Sequence, residues 1–126
     1  MIEPNDFLDF AESLYNHLNH DNDCIEVRNC ISRSYYSVYH HGMKRFAEDK
    51  RGKHLNTKSP ESHRMLNDFF FEIKNEGIAH RLTALRRKRN DADYDLGMNL
   101  SKQKARESIR DAKNLRDSMN RIEPKT

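Results

Sequence analysis

The sequence predicts an all-α fold, an up-and-down bundle of four to five helices. Three observations carry this. Apolar residues recur at spacings of three and four along most of the chain, no segment shows the apolar–polar alternation of a half-buried strand, and helix start and stop signals fall between the periodic stretches. At 126 residues the chain suits one compact domain, residues 1–126, without room for a second core. With 35% hydrophobic and 34% charged residues the expected core is thin. A partner subunit is therefore expected.

The first helix is read from Phe7, Phe10, Ala11, Leu14, Tyr15 and Leu18, which share one face, with Asn5 or Asp6 as N-cap and a span from about Asp6 to about His20. The polar run His20-Asp21-Asn22-Asp23 breaks the pattern. Asp23 is positioned to cap a long second helix reaching about Asp49, with Val27, Ile31, Tyr35, Val38, Tyr39, Gly42, Met43 and Phe46 as its core stripe. Gly42 in that stripe predicts close approach of a neighbouring helix. Lys50 to Lys58 is basic, aperiodic and contains Gly52, and reads as a loop. Ser59-Pro60-Glu61-Ser62 then starts a third helix that carries Met65, Leu66, Phe69, Phe70 and Ile73 inward. An interruption is expected at Gly77, after which Ile78, Leu82 and Leu85 lead a helix into the basic tract. Asp95 to Asn99 is turn-like. Ser101 or Asn99 caps the last helix, whose stripe is Ala105, Ile109, Ala112, Leu115, Met119 and Ile122, and Pro124 marks its end.

Composition narrows the function classes. No apolar stretch approaches the ~18–20 residues needed to cross a bilayer, and the acidic start from Met1 to Asp9 is unlike the basic head of a signal peptide, so a soluble cytoplasmic protein with no membrane association is expected. Cys24 and Cys30, six residues apart on one helix, point to different sides and read as ordinary thiols. Residues 1–30 carry a net −6 while the whole chain is +3, leaving +9 for the remainder. The positive charge concentrates in Arg81 with Arg86-Arg87-Lys88-Arg89, and in Lys50-Arg51-Gly52-Lys53-His54. Such clusters attract polyphosphates, so Arg86, Arg87, Lys88, Arg81 and Lys53 are candidate nucleic-acid contacts. The competing reading is a solvated helix face.

His17 and His20, beside Asp21 and Asp23, are too few and too poorly supported for a zinc centre, so no metal and no other cofactor is expected. Phosphate-loop, nucleophile-elbow and zinc-protease motifs are missing as well. What remains is a polar row on the second helix, Arg33, Tyr36, Ser37 and His40, at offsets that share one face. It is joined by Arg86-Arg87-Lys88-Arg89-Asn90-Asp91-Ala92-Asp93-Tyr94, a guanidinium cluster beside carboxylates and a phenol. One reading is a helix end in which Asp91 or Asp93 pairs with Arg86 or Arg89 while Tyr94 packs on the bundle. In the other, Arg33 and Arg89 hold phosphate through paired N–H groups and His40 and Tyr94 exchange hydrogen bonds or protons nearby.

The segment Ser32-Arg33-Ser34-Tyr35-Tyr36-Ser37-Val38-Tyr39-His40 resembles the second-helix signature of the prokaryotic HEPN superfamily. Arg89-Asn90-Asp91-Ala92-Asp93-Tyr94 is similar to the Arg-x-x-Ala-Asp-Tyr element of its small stand-alone branch. His63 with Leu66 and Phe69, and the closing stripe Ala105, Ile109 and Ala112, follow in the matching order. The resemblance implies a helical homodimer with motif arginines facing one cleft. It also implies an RNA-directed protein: a metal-independent ribonuclease of a toxin–antitoxin or antiphage system, or an inactive partner or regulatory subunit of a nucleotidyltransferase or defence complex. The catalytic members carry Arg-x(4–6)-His, whereas here Tyr94 stands five residues after Arg89. A phenol with a pKa of ~10 is a poor base at neutral pH, and His40, seven positions after Arg33, is the imidazole expected to meet Arg89 across the packed helices, so the candidate catalytic set is Arg89, Tyr94, Arg33 and His40.

Overall fold

The computed structural model describes all 126 residues and contains five helices and no strand: α1 Pro4–Asn16, α2 Ile25–Phe46, α3 Ser62–Glu72, α4 Glu76–Tyr94 and α5 Lys102–Asn120. It is the all-α helical bundle that the periodicity predicts. None of the helices is long and apolar enough to cross a membrane. α2 is the axis, packing against each of the other four, while α3 lies on α4 and α5 lies on α4 and α1. All eight residues expected in its core stripe are buried. A helix contacted on every side must be apolar or internally satisfied most of the way round, and Ser32, Ser34, Ser37 and Arg28 are buried on it too. The Ser34 hydroxyl donates back to the Cys30 carbonyl at 2.7 Å, one way a polar residue is accommodated inside a helix.

At Gly42 the close approach is real. A Cβ there would stand 3.0 Å from Leu66 Cδ2 of α3 and 3.5 Å from Met119 Cε of α5. Below it, Phe46, Phe69 and Phe70 form a cluster of tilted and edge-on rings with centroids 5.1–5.5 Å apart, the favoured arrangement for aromatic quadrupoles. A single apolar core of 25 residues runs through all five helices.

Several boundaries differ from expectation for local reasons. α1 starts at Pro4, because proline fits a first turn that needs no donor, and Asp6 reaches back to accept the Glu3 N–H at 2.9 Å instead of capping itself. Its buried face uses Leu8 and Ala11, and Phe10 is exposed. Asp23 does not cap α2. Cys24 holds that position, and the carboxylate of Asp23 is taken by Arg28. Ser59 to Glu61 form a turn ahead of α3, not its first turn, and Met65 and Ile73 are only half-buried. The break before α4 falls at Lys74, whose φ of 61° is in the left-handed region, and Gly77 lies inside α4 with open space around it. Ser101 caps α5 as expected, accepting the Lys104 N–H, and Ile122 lies past the helix end. Cys30 is buried and Cys24 half-buried, both as free thiols.

Two arginines of α2 close the ends of other helices. Arg28 donates to the carbonyls of Asp91, Ala92, Asp95 and Met98 at 2.7–3.3 Å while a fork of two bonds holds Asp23. Arg45 donates to the carbonyls of Met119, Asn120 and Ile122 at 2.7–3.1 Å. The last carbonyls of α4 and α5 have no intrahelical partner, and each guanidinium meets both that demand and the negative end of the dipole.

Candidate functional site

The side chains that α2 sends towards α3 and α4 are aromatic, and the groups that meet them are basic. Tyr35 and Tyr39, one turn apart, stack with rings 6.1 Å apart, and His63 from the first turn of α3 lies over Tyr39 at 4.1 Å between centroids. Both phenols are buried, so their hydroxyls need partners. The Tyr35 hydroxyl lies 2.5 Å from His63 Nδ1, and the Tyr39 hydroxyl donates to Ser62 Oγ at 2.7 Å. Tyr36 and His40 extend the row towards α1, where Phe7 stacks on His40 at 5.1 Å.

α4 supplies the positive charge. The Arg89 guanidinium sits over the rings of both Tyr35 and Tyr36, 5.4 and 5.3 Å from their centroids, and is only 7% exposed. Its one carboxylate neighbour is Asp93 at 3.7 Å, which also accepts from Ser32 Oγ at 3.3 Å. The Nε of Arg89 is sealed from solvent without an acceptor, as is the Nε of Arg86. Burial, with Arg86 and Arg89 adding positive charge, pushes the His63 imidazole down to about 4. Burial also lowers His40 below the usual histidine value and raises the Tyr35 phenol well above the ordinary tyrosine range. At neutral pH both imidazoles are neutral and the Tyr35 phenol keeps its proton, so a desolvated site holds hydrogen-bonding groups beside fixed cations.

The helix splits the basic tract. Arg86 and Arg89 turn to the aromatic row, Arg81 donates to Ser118 Oγ and Lys88 pairs with Asp111 on α5, and Arg87 projects into solvent. Lys53 is exposed in the α2–α3 connection. Arg33 is half-buried on the stripe of Tyr36 and His40 and makes no hydrogen bond or ion pair. Tyr94 neither packs on the bundle nor joins the aromatic row, being 74% exposed at the end of α4. The Arg89–Asp93 pairing follows the helix-end reading, and the place of Tyr94 departs from it.

His63 belongs to the cluster although the sequence does not single it out for chemistry. The available signal is the pair Tyr35 and Tyr39 on the core stripe: two buried hydroxyls four residues apart demand hydrogen-bonding groups from another helix. Arg28 gives no such signal, because apart from Asp23 its partners are main-chain carbonyls about 65 residues away. No family model matches the chain, and no curated protein or solved structure is significantly similar to it.

Proposed function

We propose that this chain is an RNA-directed protein of HEPN type, acting as a metal-independent ribonuclease effector in a toxin–antitoxin or antiphage setting. The observation that supports it best is the excess of positive charge at the tyrosine row. Arg33 and Arg86 have no carboxylate partner, and Arg89 has only Asp93 at 3.7 Å. Guanidinium groups in surplus, one buried and two half-buried, are suited to a phosphodiester, whose charge they neutralise in a planar fork. In this reading Arg33 and Arg89 set the field at the phosphate, Arg89 from its place over the two rings. His40, neutral at pH 7, takes the proton of a ribose 2′-hydroxyl as its oxygen attacks phosphorus. The bond to the 5′-oxygen breaks, that oxygen takes a proton from water, the His40 imidazolium returns its proton to the hydroxide so formed, and a 2′,3′-cyclic phosphate remains.

The test is cleavage of single-stranded RNA in excess chelator by the wild type, Arg89→Ala and His40→Ala. Each substitution should lower the rate by about a hundredfold or more while the helical fold persists. The acid limb of the wild-type rate profile should lie below pH 6.5, because burial depresses His40. A wild type that cleaves no RNA, or variants that cleave at the wild-type rate, would remove the ribonuclease assignment.

One observation favours a second reading, an inactive partner subunit. Ile25, Tyr94 and Leu96 are 66%, 74% and 81% exposed, and Arg28 ties the segments that carry them to one end of the bundle. Exposed apolar groups gathered this way suit a second copy of the chain, an antitoxin or a nucleotidyltransferase. Loss of association in Leu96→Glu, with no RNA cleavage by the wild type, would favour it.

A further inference from the structure

Beside Arg89, where α2, α3 and α4 meet, a pocket of about 100 Å³ is lined by Leu82 and six polar side chains: Tyr35, His63, Arg64, Asn67, Thr83 and Arg86. None of them is a carboxylate. The charge of Arg64 is spent outside, on Glu61 and on Asp68 at 3.1 Å. Arg86 is different, since it makes no hydrogen bond or ion pair and its Nε has neither solvent nor an acceptor.

The neutral groups are also oriented to donate. Thr83 Oγ1 donates to Asn67 Oδ1 at 2.9 Å, which fixes the amide and leaves both N–H groups of Nδ2 free of that bond. The Tyr35 hydroxyl and His63 Nδ1 share a hydrogen bond; with the hydroxyl as donor, the proton of the neutral ring stands on Nε2. Arg86, Asn67 and His63, which line this space, thus bring one uncompensated guanidinium, one amide and one imidazole to it. That space admits a tetrahedral oxyanion.

We propose that this pocket binds a phosphoryl group, the terminal phosphate of an RNA or free phosphate, with Arg86 as the charged anchor and Asn67 and His63 as donors. The inference goes beyond the proposed cleavage, which uses the row of Arg33, His40 and Arg89, because an anion can occupy the pocket in a chain that cuts nothing.

Titration of the ¹⁵N-labelled protein with inorganic phosphate tests it, reading the Arg86 Nε–H and His63 ring signals by NMR. Both should shift saturably. Arg86→Gln should weaken binding by about tenfold or more, the usual consequence of losing a charged hydrogen bond. Asn67→Asp keeps the acceptor for Thr83 and the side-chain size but adds negative charge, and should abolish the saturable shift; it decides the matter if Arg86→Gln fails to fold. Arg121→Gln, on the exposed end of α5, should bind as the wild type does. An oligoribonucleotide with a 5′-phosphate that binds at least tenfold tighter than its 5′-hydroxyl form, and competes with phosphate, identifies an RNA end as the source. Equal binding of the two, with the phosphate shift retained, identifies free phosphate. Absence of a saturable shift in the wild type, or unchanged affinity in both pocket variants, overturns the proposal. Phosphate binding without RNA cleavage removes only the ribonuclease reading, and cleavage without phosphate binding removes only the pocket.

Discussion

His63 links the fold to pH. Its folded value of about 4 lies below the 6.5 of a free imidazole, so between these values the unfolded chain takes up a proton that the folded chain refuses. The resulting stability is complete above pH 6.5 and drains away as pH falls towards 4. His40 and His41 are lowered as well and add to the slope. Chemical denaturation from pH 7 to 4 should therefore show falling stability, and His63→Phe should reduce the proton-uptake difference by about one at most. An unchanged slope would mean that the ring is not held neutral by the cluster. A second residue-scale prediction concerns Gly77. It lies near the start of α4, and a Cβ at this position would meet nothing within 4 Å, so alanine causes no clash and restricts the unfolded chain. Gly77→Ala should stabilise by about 0.4–1 kcal/mol in urea denaturation. Destabilisation would place a helix break at Gly77 after all.

At the scale of elements, α2 organises the bundle by two means, and only one of them was legible in the sequence. Its apolar stripe could be read residue by residue, because 3.6-residue periodicity is a local property and all eight expected positions are buried. The capping of α4 by Arg28 and of α5 by Arg45 could not, since a carbonyl acceptor has no side-chain signature and the pairs are separated by many turns of chain. The α3–α4 break lies ahead of the expected Gly77 for a related reason: glycine is the usual residue at positive φ, but here Lys74 takes it, and Gly77 is an ordinary helical residue. The arginine caps make distinct predictions. Arg28→Ala should accelerate amide hydrogen exchange in the last turn of α4 and in residues 95–99, and Arg45→Ala should do so at the end of α5, each leaving the other end protected. Uniform acceleration along the chain in either variant would show that the arginine supports global stability instead of one terminus.

For the whole molecule, the acidic first segment and basic remainder that composition revealed do not become two simple faces. Folding divides the basic tract among the tyrosine row, α5 and solvent, so the candidate site consists of those cations that α4 happens to direct inward, with Arg33 and His40 from α2 and His63 from α3. Arg33, His40 and Arg89 were legible as residues of interest because they sit at helical offsets or in a dense charge run. The contribution of His63 was not, because it depends on how α3 crosses α2. In the proposed function this surplus of positive charge engages RNA phosphates. The most direct measurement of that engagement is the salt dependence of binding to single-stranded RNA, compared between the wild type and Arg33→Gln/Arg89→Gln. Each phosphate contact removed should lower the slope of log affinity against log salt by about 0.7, so the double variant should lose about 1.4 from a steep wild-type slope. An identical slope in the two proteins, or a wild type whose binding ignores salt, would contradict it.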